Sequence, residues 1–215
     1  MNYIFGSASG IGNSLYNLYK KNRLNVFGFD INESPETDNI IDLSELKNLD
    51  PIIEIINKER VESITYCAGI QDSKNITSLF NVNVVSFIEL INKSIENFDE
   101  TVVCALSSVH SVASNDKNIE YASTKASLES AIKTFSTAQK NSYFYFLRLG
   151  ATDTNLLREN VKDLDKLVNS LPSGKLFDAD DVSKLIFDIN TKHKELFNGG
   201  HLQIDQGVLS KLSTE

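Results

Sequence analysis

With 215 residues, 41% of them hydrophobic, the chain can bury a substantial core and stays within the length of one domain. A formal net charge of −8 and a pI near 5.0 argue against a nucleic-acid backbone or an anionic membrane surface as partner, because both would repel it, and leave a small molecule as the expected ligand. Neither a basic leader with an apolar stretch nor an 18-residue apolar run occurs, so a soluble, cytoplasmic protein is expected.

Residues 2–5 read as a strand, and the next segment, Phe5-Gly6-Ser7-Ala8-Ser9-Gly10-Ile11-Gly12, opens a helical pattern over 11–21. Glycines at this point let the backbone turn sharply and approach a pyrophosphate, whose charge suits the free N–H groups and positive dipole end of the helix. A glycine cluster alone is equally a tight strand-to-helix turn. The second strand, 24–29, ends at Asp30, about twenty residues after the glycines, where a carboxylate can accept hydrogen bonds from both hydroxyls of an adenosine ribose and would repel a 2′-phosphate. Ser9, not Lys or Arg, precedes the second glycine, so no cation is offered to such a phosphate. Both features point to NAD rather than NADP.

A loop at 32–38 leads to a third strand, 39–41, followed by Asp42-Leu43 and a helix over 45–57. The fourth strand, 61–67, ends in Cys67-Ala68-Gly69, and a helix over 81–97 carries Asn83. Cys67 and Cys104 lie in apolar strand-like segments without ligand spacing and read as reduced, buried thiols. The fifth strand, 101–107, runs into Ser107-Ser108, and thirteen residues after Ser108 the sequence Tyr121-Ala-Ser-Thr-Lys125 begins the longest helical pattern, 119–140. A spacing of four puts Tyr121 and Lys125 on one face, about 6 Å apart along the axis. A free tyrosine titrates near 10, so bringing it to neutrality takes about three units, or about 4 kcal/mol. One ammonium at roughly 4 Å in an effective dielectric of about 20 supplies about that much. A hydroxyl from Ser108 at the strand's C-terminal edge can reach the same crevice.

The sixth strand, 143–149, is followed by Gly150 to Thr154, a shorter helical pattern near 155–169, a loop at 172–175, a helix over 179–190 and a last strand, 201–204, that ends in Asp205-Gln206-Gly207. Strands that alternate with helices in this way specify an α/β fold: a doubly wound, Rossmann-like domain with a seven-stranded parallel sheet flanked by helices, over 1–215. The second and third strands are joined only by a loop. His110, His193 and His201 are far apart and lack metal-ligand spacing, so no metal is expected; His110, two residues after Ser108, is the one placed to meet a substrate. The charged stretch 158–166 reads as a solvated helix face.

These elements together resemble the short-chain dehydrogenases/reductases over nearly the whole chain: the G-x-x-x-G-x-G turn, Asp30, Asp42-Leu43, Cys67-Ala68-Gly69, Asn83, Ser108, Tyr121/Lys125, Gly150 to Thr154 and Asp205-Gln206-Gly207. The resemblance implies hydride transfer between NAD(H) and a small alcohol or ketone. By the same resemblance Tyr121 is the general acid/base, Ser108 orients the substrate oxygen, Lys125 lowers the tyrosine pKa and holds the nicotinamide ribose, and Asn83 fixes a relay water. Gly6, Ser9, Gly10, Ile11 and Gly12 would cradle the pyrophosphate. Asp42 with Leu43 would meet the adenine, Ala68 and Gly69 would pass the adenosine side, and Thr152 and Thr154 would grip the carboxamide. A homodimer or homotetramer through helices 83–97 and 119–140 is likewise implied. The chain departs from the family pattern at Phe5, Cys67, Leu149 and Gln206, where the family has Thr, Asn, Pro and Gly, and it is short for the family. Two other functions fit the same fold: a dinucleotide-binding sensor or scaffold without catalysis, and an enzyme that epimerises or dehydrates nucleotide sugars, for which the short C-terminal region leaves little room.

Overall fold

The computed structural model describes residues 1–71, 75–113 and 118–209. Strands β1 (Asn2–Phe5), β2 (Val26–Asp30), β3 (Asn39–Ile40), β4 (Ser63–Tyr66), β5 (Val102–Ser108), β6 (Tyr143–Leu149) and β7 (His201–Ile204) form one sheet in the order β3-β2-β1-β4-β5-β6-β7, every pairing parallel. Helices α1 (Gly10–Lys21), α2 (Leu49–Ile56), α3 (Ile76–Phe80), α4 (Ser86–Ser94), α5 (Ile119–Ala138), α6 (Asn155–Asn160), α7 (Leu164–Ser170) and α8 (Ala179–Asp188) connect or flank the strands. Their side chains bury both faces of the sheet, which is why its strands read as nearly unbroken apolar runs.

Alternation along each strand sorts the core into two layers. Tyr3, Phe5, Phe29, Val103, Ala105, Phe144 and Phe146 face α2, α4 and α5, through residues such as Ile52, Phe87 and Leu128. Ile4, Val102, Cys104, Tyr145 and Leu147 face α1 and α8, through Leu15, Tyr19 and Ile186. Between β1 and β4 the strand order reverses direction, so the connections leaving their C-terminal ends diverge and open a crevice there.

Most elements fall within two residues of their predicted bounds, and the exceptions have local causes. The helix expected over 81–97 is preceded by α3, begins with a π turn over Asn81–Val85, and ends in a 3-10 turn at Ile95–Asn97. Asn75 caps α3, its side chain accepting from the Thr77 and Ser78 amides. The pattern at 155–169 splits into α6 and α7 because Asp163 caps a new helix by accepting from the Lys166 amide. After α8 a second π turn, Ile189–His193, carries Asn190 inward, where it accepts from Tyr145 and donates to Tyr19 and Thr65. Cys67 and Cys104 are free thiols, and burial pushes both up. Among the described residues no helix is long and apolar enough to cross a membrane.

Candidate active site

The glycine turn is held together by contacts too close for any side chain. Gly6 adopts φ +87°, and a Cβ there would lie 2.7 Å from the Ala68 amide nitrogen; a Cβ on Gly12 would lie 1.9 Å from the Gly6 carbonyl oxygen. The turn therefore rests directly on the segment that leaves β4. Ser9 is the extended residue before α1, its hydroxyl caps nothing among the described residues, and the first turn holds no acidic residue. The amides that open α1, Ile11 and Gly12 included, thus present positive dipole to the crevice. The Ser7 hydroxyl is fully buried beneath the turn without a hydrogen-bond partner among the described residues.

Asp30 belongs to the same construction. Its Oδ2 accepts from the Ala8 amide at 3.0 Å and its Oδ1 from the Asn32 amide at 2.9 Å, which clips the half-buried carboxylate to the side of the turn. Asp42 folds the chain after β3 by accepting from the Ser44 amide at 2.8 Å, and Leu43 is buried beside it. The Asn81 side chain donates to the Ser44 carbonyl at 2.7 Å, tying this corner to the π turn that carries Asn83. From the other side comes the segment after β6: a Cβ on Gly10 would lie 3.0 Å from Thr154 Cγ2, so Thr154 packs on the glycine turn. Thr154 also accepts from the Leu157 amide as the cap of α6, while Thr152 is buried and donates to the Gly150 carbonyl at 3.2 Å.

Gly69 marks where the side chains of Lys125 and Asn83 meet this framework. The position its Cβ would take lies 3.3 Å from Lys125 Nζ and 3.4 Å from Asn83 Oδ1. Asn83, inside the π turn, accepts from the Ile70 amide and donates to the Ile70 carbonyl and to Thr124 Oγ1. Lys125 Nζ donates to the Leu106 carbonyl at 2.9 Å and stands 5.6 Å from the centre of the Tyr121 ring. Ser108 Oγ accepts from the His110 amide at 3.2 Å, and the hydroxyl acts on the Tyr121 phenol in the direction that favours its ionisation. The His110 ring meets the Tyr121 ring edge-on, centres 6.0 Å apart. Asn83, Ser108, Tyr121 and Lys125 are all buried. A chain of contacts thus links Asp30 to the glycine turn, the turn to Ala68, and Gly69 to Asn83 and Lys125, with Tyr121 beside Lys125.

Electrostatically the site departs from the sequence expectation. Burial pushes the Tyr121 phenol up to about 12, with the Ser108 hydroxyl acting against it, where the neighbouring ammonium was expected to draw it down. Lys125 suffers the same desolvation, which holds it down at about 8, well below an ordinary lysine. Burial also lowers His110, which is therefore neutral at pH 7.

One group was missed. Glu129 lies four residues after Lys125 and eight after Tyr121 on α5, and it forms a buried ion pair with Arg148, Nη2 to Oε2 at 2.6 Å and Nε to Oε1 at 3.0 Å. Ser107 and Ser111 donate to the same Oε1 at 2.6 and 2.5 Å. The signal was present in the strand Tyr143–Leu149: an arginine inside an otherwise apolar, doubly buried run needs a buried partner.

No protein-family model matches the sequence, and no curated protein matches it either. Solved structures do. A short-chain dehydrogenase family protein from Francisella tularensis subsp. tularensis SCHU S4 superimposes with a TM-score of 0.89 at 18% identity, over 97% of this chain and 98% of that one. The chain has the short-chain dehydrogenase/reductase fold. The 3-alpha-hydroxysteroid dehydrogenase from Pseudomonas sp. B-0831, solved with NADH, matches with a TM-score of 0.87 at 17% identity over 100% and 98% of the two chains. A short-chain dehydrogenase from Burkholderia cenocepacia J2315, solved with NADP, gives 0.82 at 17% identity over 95% and 96%. In the short-chain dehydrogenase/reductase fold of this chain, the glycine turn after β1 and the segment that leaves β4 with Gly69 stand at the strand-order switch point.

Proposed function

We propose that the protein is an NAD(H)-dependent oxidoreductase of the short-chain dehydrogenase/reductase family, a single domain over 1–215, that interconverts a small alcohol and its ketone or aldehyde. The observation that carries this reading is the meeting of Lys125 and Asn83 at Gly69, one residue from the backbone on which the glycine turn rests, with Lys125 Nζ 5.6 Å from the centre of the Tyr121 ring. The residues fit a dinucleotide on structural grounds. The turn has no room for side chains, the start of α1 offers unneutralised N–H groups, and Asp30 stands at its flank. Gly6, Ser9, Gly10, Ile11 and Gly12 would hold the pyrophosphate, Asp30 the adenosine ribose, Asp42 and Leu43 the adenine, Ala68 and Gly69 the adenosine side, Lys125 the second ribose, and Thr152 and Thr154 the carboxamide. The cofactor supplies or accepts the hydride.

The chain's own residues handle the proton. In the reductive direction Tyr121 donates its phenolic proton to the oxygen of the forming alkoxide, and Ser108 donates a hydrogen bond to that oxygen as its charge develops. Lys125 stabilises the phenolate left behind, and Asn83 orients the route by which Tyr121 is reprotonated. A phenol pushed up by burial is fully protonated at neutral pH and so is loaded for reduction. Alcohol oxidation needs the phenolate, so its rate should climb with pH over the neutral to alkaline range, while the rate of reduction should hold level until the pH approaches the phenol's own value of about 12. A binding-only sensor has no use for a buried phenol and a buried ammonium, each of which costs stability. The exposed Ile119 and Val112 flank the outer face of α5, and with α4 that helix is the surface through which we expect a homodimer or homotetramer to form.

The test is Tyr121→Phe. In a screen of carbonyl compounds and alcohols followed by NADH absorbance, its turnover should fall by roughly 10²- to 10⁴-fold, with NADH affinity nearly unchanged. Full turnover in this variant would reject the assignment.

A further inference from the structure

A buried ion pair is an expensive way to fill a core, since two apolar residues of similar volume often give equal or greater stability. Glu129 and Arg148 are nevertheless both buried, and every acceptor site on Glu129 Oε1 that the neighbourhood can serve is used: Arg148 Nε, Ser107 Oγ and Ser111 Oγ all donate to it. What distinguishes this cluster is the set of elements it joins. Glu129 stands on α5 along the line of Tyr121 and Lys125, at intervals of four residues, so it shares their face. Ser107 is the residue before Ser108 on β5, and in the sheet it is the cross-strand partner of Arg148. Ser111 ends the 3-10 turn, Val109–Ser111, that carries His110 beneath the Tyr121 ring. Arg148 lies on β6, two residues before Gly150, where the segment that brings Thr152 and Thr154 to the crevice begins. Apolar contacts would let β5 slide against α5 by fractions of an ångström at little cost, whereas short hydrogen bonds to one carboxylate are directional and fix the distance.

We propose that Glu129 is a positioning residue of this site: paired with Arg148 and accepting from Ser107 and Ser111, it sets the end of β5, and with it Ser108, against the face of α5 that carries Tyr121 and Lys125. Glu129 acts only through these partners and touches neither substrate nor cofactor. The inference rests on the oxidoreductase reading for its purpose, but its geometry can be tested without any activity. The consequence to read is the ionisation of residue 121, because the hydroxyl of Ser108, at the end of β5, opposes the effect of burial there. Among the described residues, the other groups facing that ring are Lys125 on the same helix and His110 on the turn after β5, and neither is altered by the variants below.

A fluorinated tyrosine in place of Tyr121, whose phenol titrates nearer neutrality, can be followed by fluorine NMR as pH rises. It is compared in the otherwise unchanged protein, in Glu129→Gln, and in Ser107→Ala with Ser111→Ala. Glu129→Gln leaves Arg148 buried without its charge partner and can fail to fold; the double serine variant keeps the ion pair and cuts only the tethers to β5 and the turn, so it stays informative in that event. In the double serine variant the apparent pKa at 121 should rise by about one pH unit, the worth of one hydrogen bond to a charged oxygen. Folding should be intact by thermal melting and NADH binding unchanged. With a substrate in hand, kcat should fall about tenfold and the KM for NADH should hold. An unchanged titration in the folded double serine variant overturns the proposal. A shifted titration in a protein with no NADH-linked turnover on any carbonyl compound would uphold the positioning role and reject the oxidoreductase reading instead.

Discussion

The proposed cofactor end of the site, at the glycine turn, and the proposed catalytic end, around Tyr121 and Lys125, are built from different materials. At the glycine turn the work is done by backbone: Gly6 against Ala68, Gly12 against the Gly6 carbonyl, and the amides that open α1. Its tolerances are steric and its charge is the fixed partial charge of a helix end, so no full charge is desolvated there and the buried Ser7 hydroxyl is the one side-chain polar group of the turn left without a partner among the described residues. At the catalytic end a phenol, an ammonium and a carboxylate–guanidinium pair are all taken out of water. That end is polar chemistry held against its own solvation preference. The contrast teaches which measurement responds at each end: substitutions in the turn should fail by shape, and substitutions around Lys125 should show as pH-dependent stability.

The largest effect separates two of the turn's three glycines, Gly12 and Gly10. A Cβ on Gly12 falls 1.9 Å from a backbone oxygen, so Gly12→Ala forces the strand-to-helix turn apart and should cost at least about 3 kcal/mol, with NADH binding lost. At Gly10 the obstacle is the end of the Thr154 side chain at 3.0 Å together with φ +54°, and Gly10→Ala should cost only about 1–2 kcal/mol. Thermal melting and NADH fluorescence on the two variants measure the difference. Equal behaviour would mean that the turn is not locked by backbone contact.

Next comes the ammonium. Lys125 titrates at about 8 in the folded protein and near 10.5 unfolded, so between those values the unfolded chain holds a proton that the folded chain has released. Stability must therefore rise with pH across that window, and below pH 8 the full cost of burying the charge is present. Lys125→Met removes the charge and keeps the stem. It should raise stability at pH 7 by about 3 kcal/mol, corresponding to the two-and-a-half-unit depression, and the gain should vanish above pH 10.5. Activity should be lost in the same variant, since stability given up at an active site is the usual sign of function. A Lys125→Met protein no more stable than its parent at pH 7 would place the ammonium in contact with water.

How much of this was legible in the sequence follows the same division. Backbone-built features announce themselves through residue types that serve no other end: Gly6, Gly10 and Gly12 after a strand, and Asp30 at the next strand's tip. The strands were legible because both faces are buried, so their apolar runs are unbroken. At the catalytic end Tyr121, Lys125, Ser108 and Asn83 were legible as a spacing pattern, but the balance of their charges was not. It depends on desolvation, which a pairwise count of neighbours omits, and so the phenol lies near 12 where an ammonium alone would have drawn it toward neutrality. Glu129 escaped because a glutamate on a helix is ordinarily a solvated residue; only its register with Tyr121 and the arginine inside β6 betray it. The π turns escaped because a helix with one extra residue has the same apolar period on both sides of the bulge.

The smallest effect concerns Asp30, and it sharpens the cofactor half of the comparison. The carboxylate is half-buried and already accepts from the Ala8 and Asn32 amides, so it is held in place, with its charge directed at whatever occupies the flank of the turn. Against a ribose it gains hydrogen bonds; against a 2′-phosphate it gains only repulsion. Asp30→Asn keeps the shape and one acceptor while removing the charge. The ratio of NADPH to NADH affinity should move toward NADPH by about tenfold, close to 1.4 kcal/mol. Because the site is open to water, the shift should shrink as salt is raised from low ionic strength to 0.5 M, where screening acts over only a few ångströms. A shift that ignores salt would assign the preference to shape. Tighter binding of NADPH than NADH by the unaltered protein would remove Asp30 from cofactor selection altogether, and the charge at this flank would then serve only to clip β2 to the glycine turn.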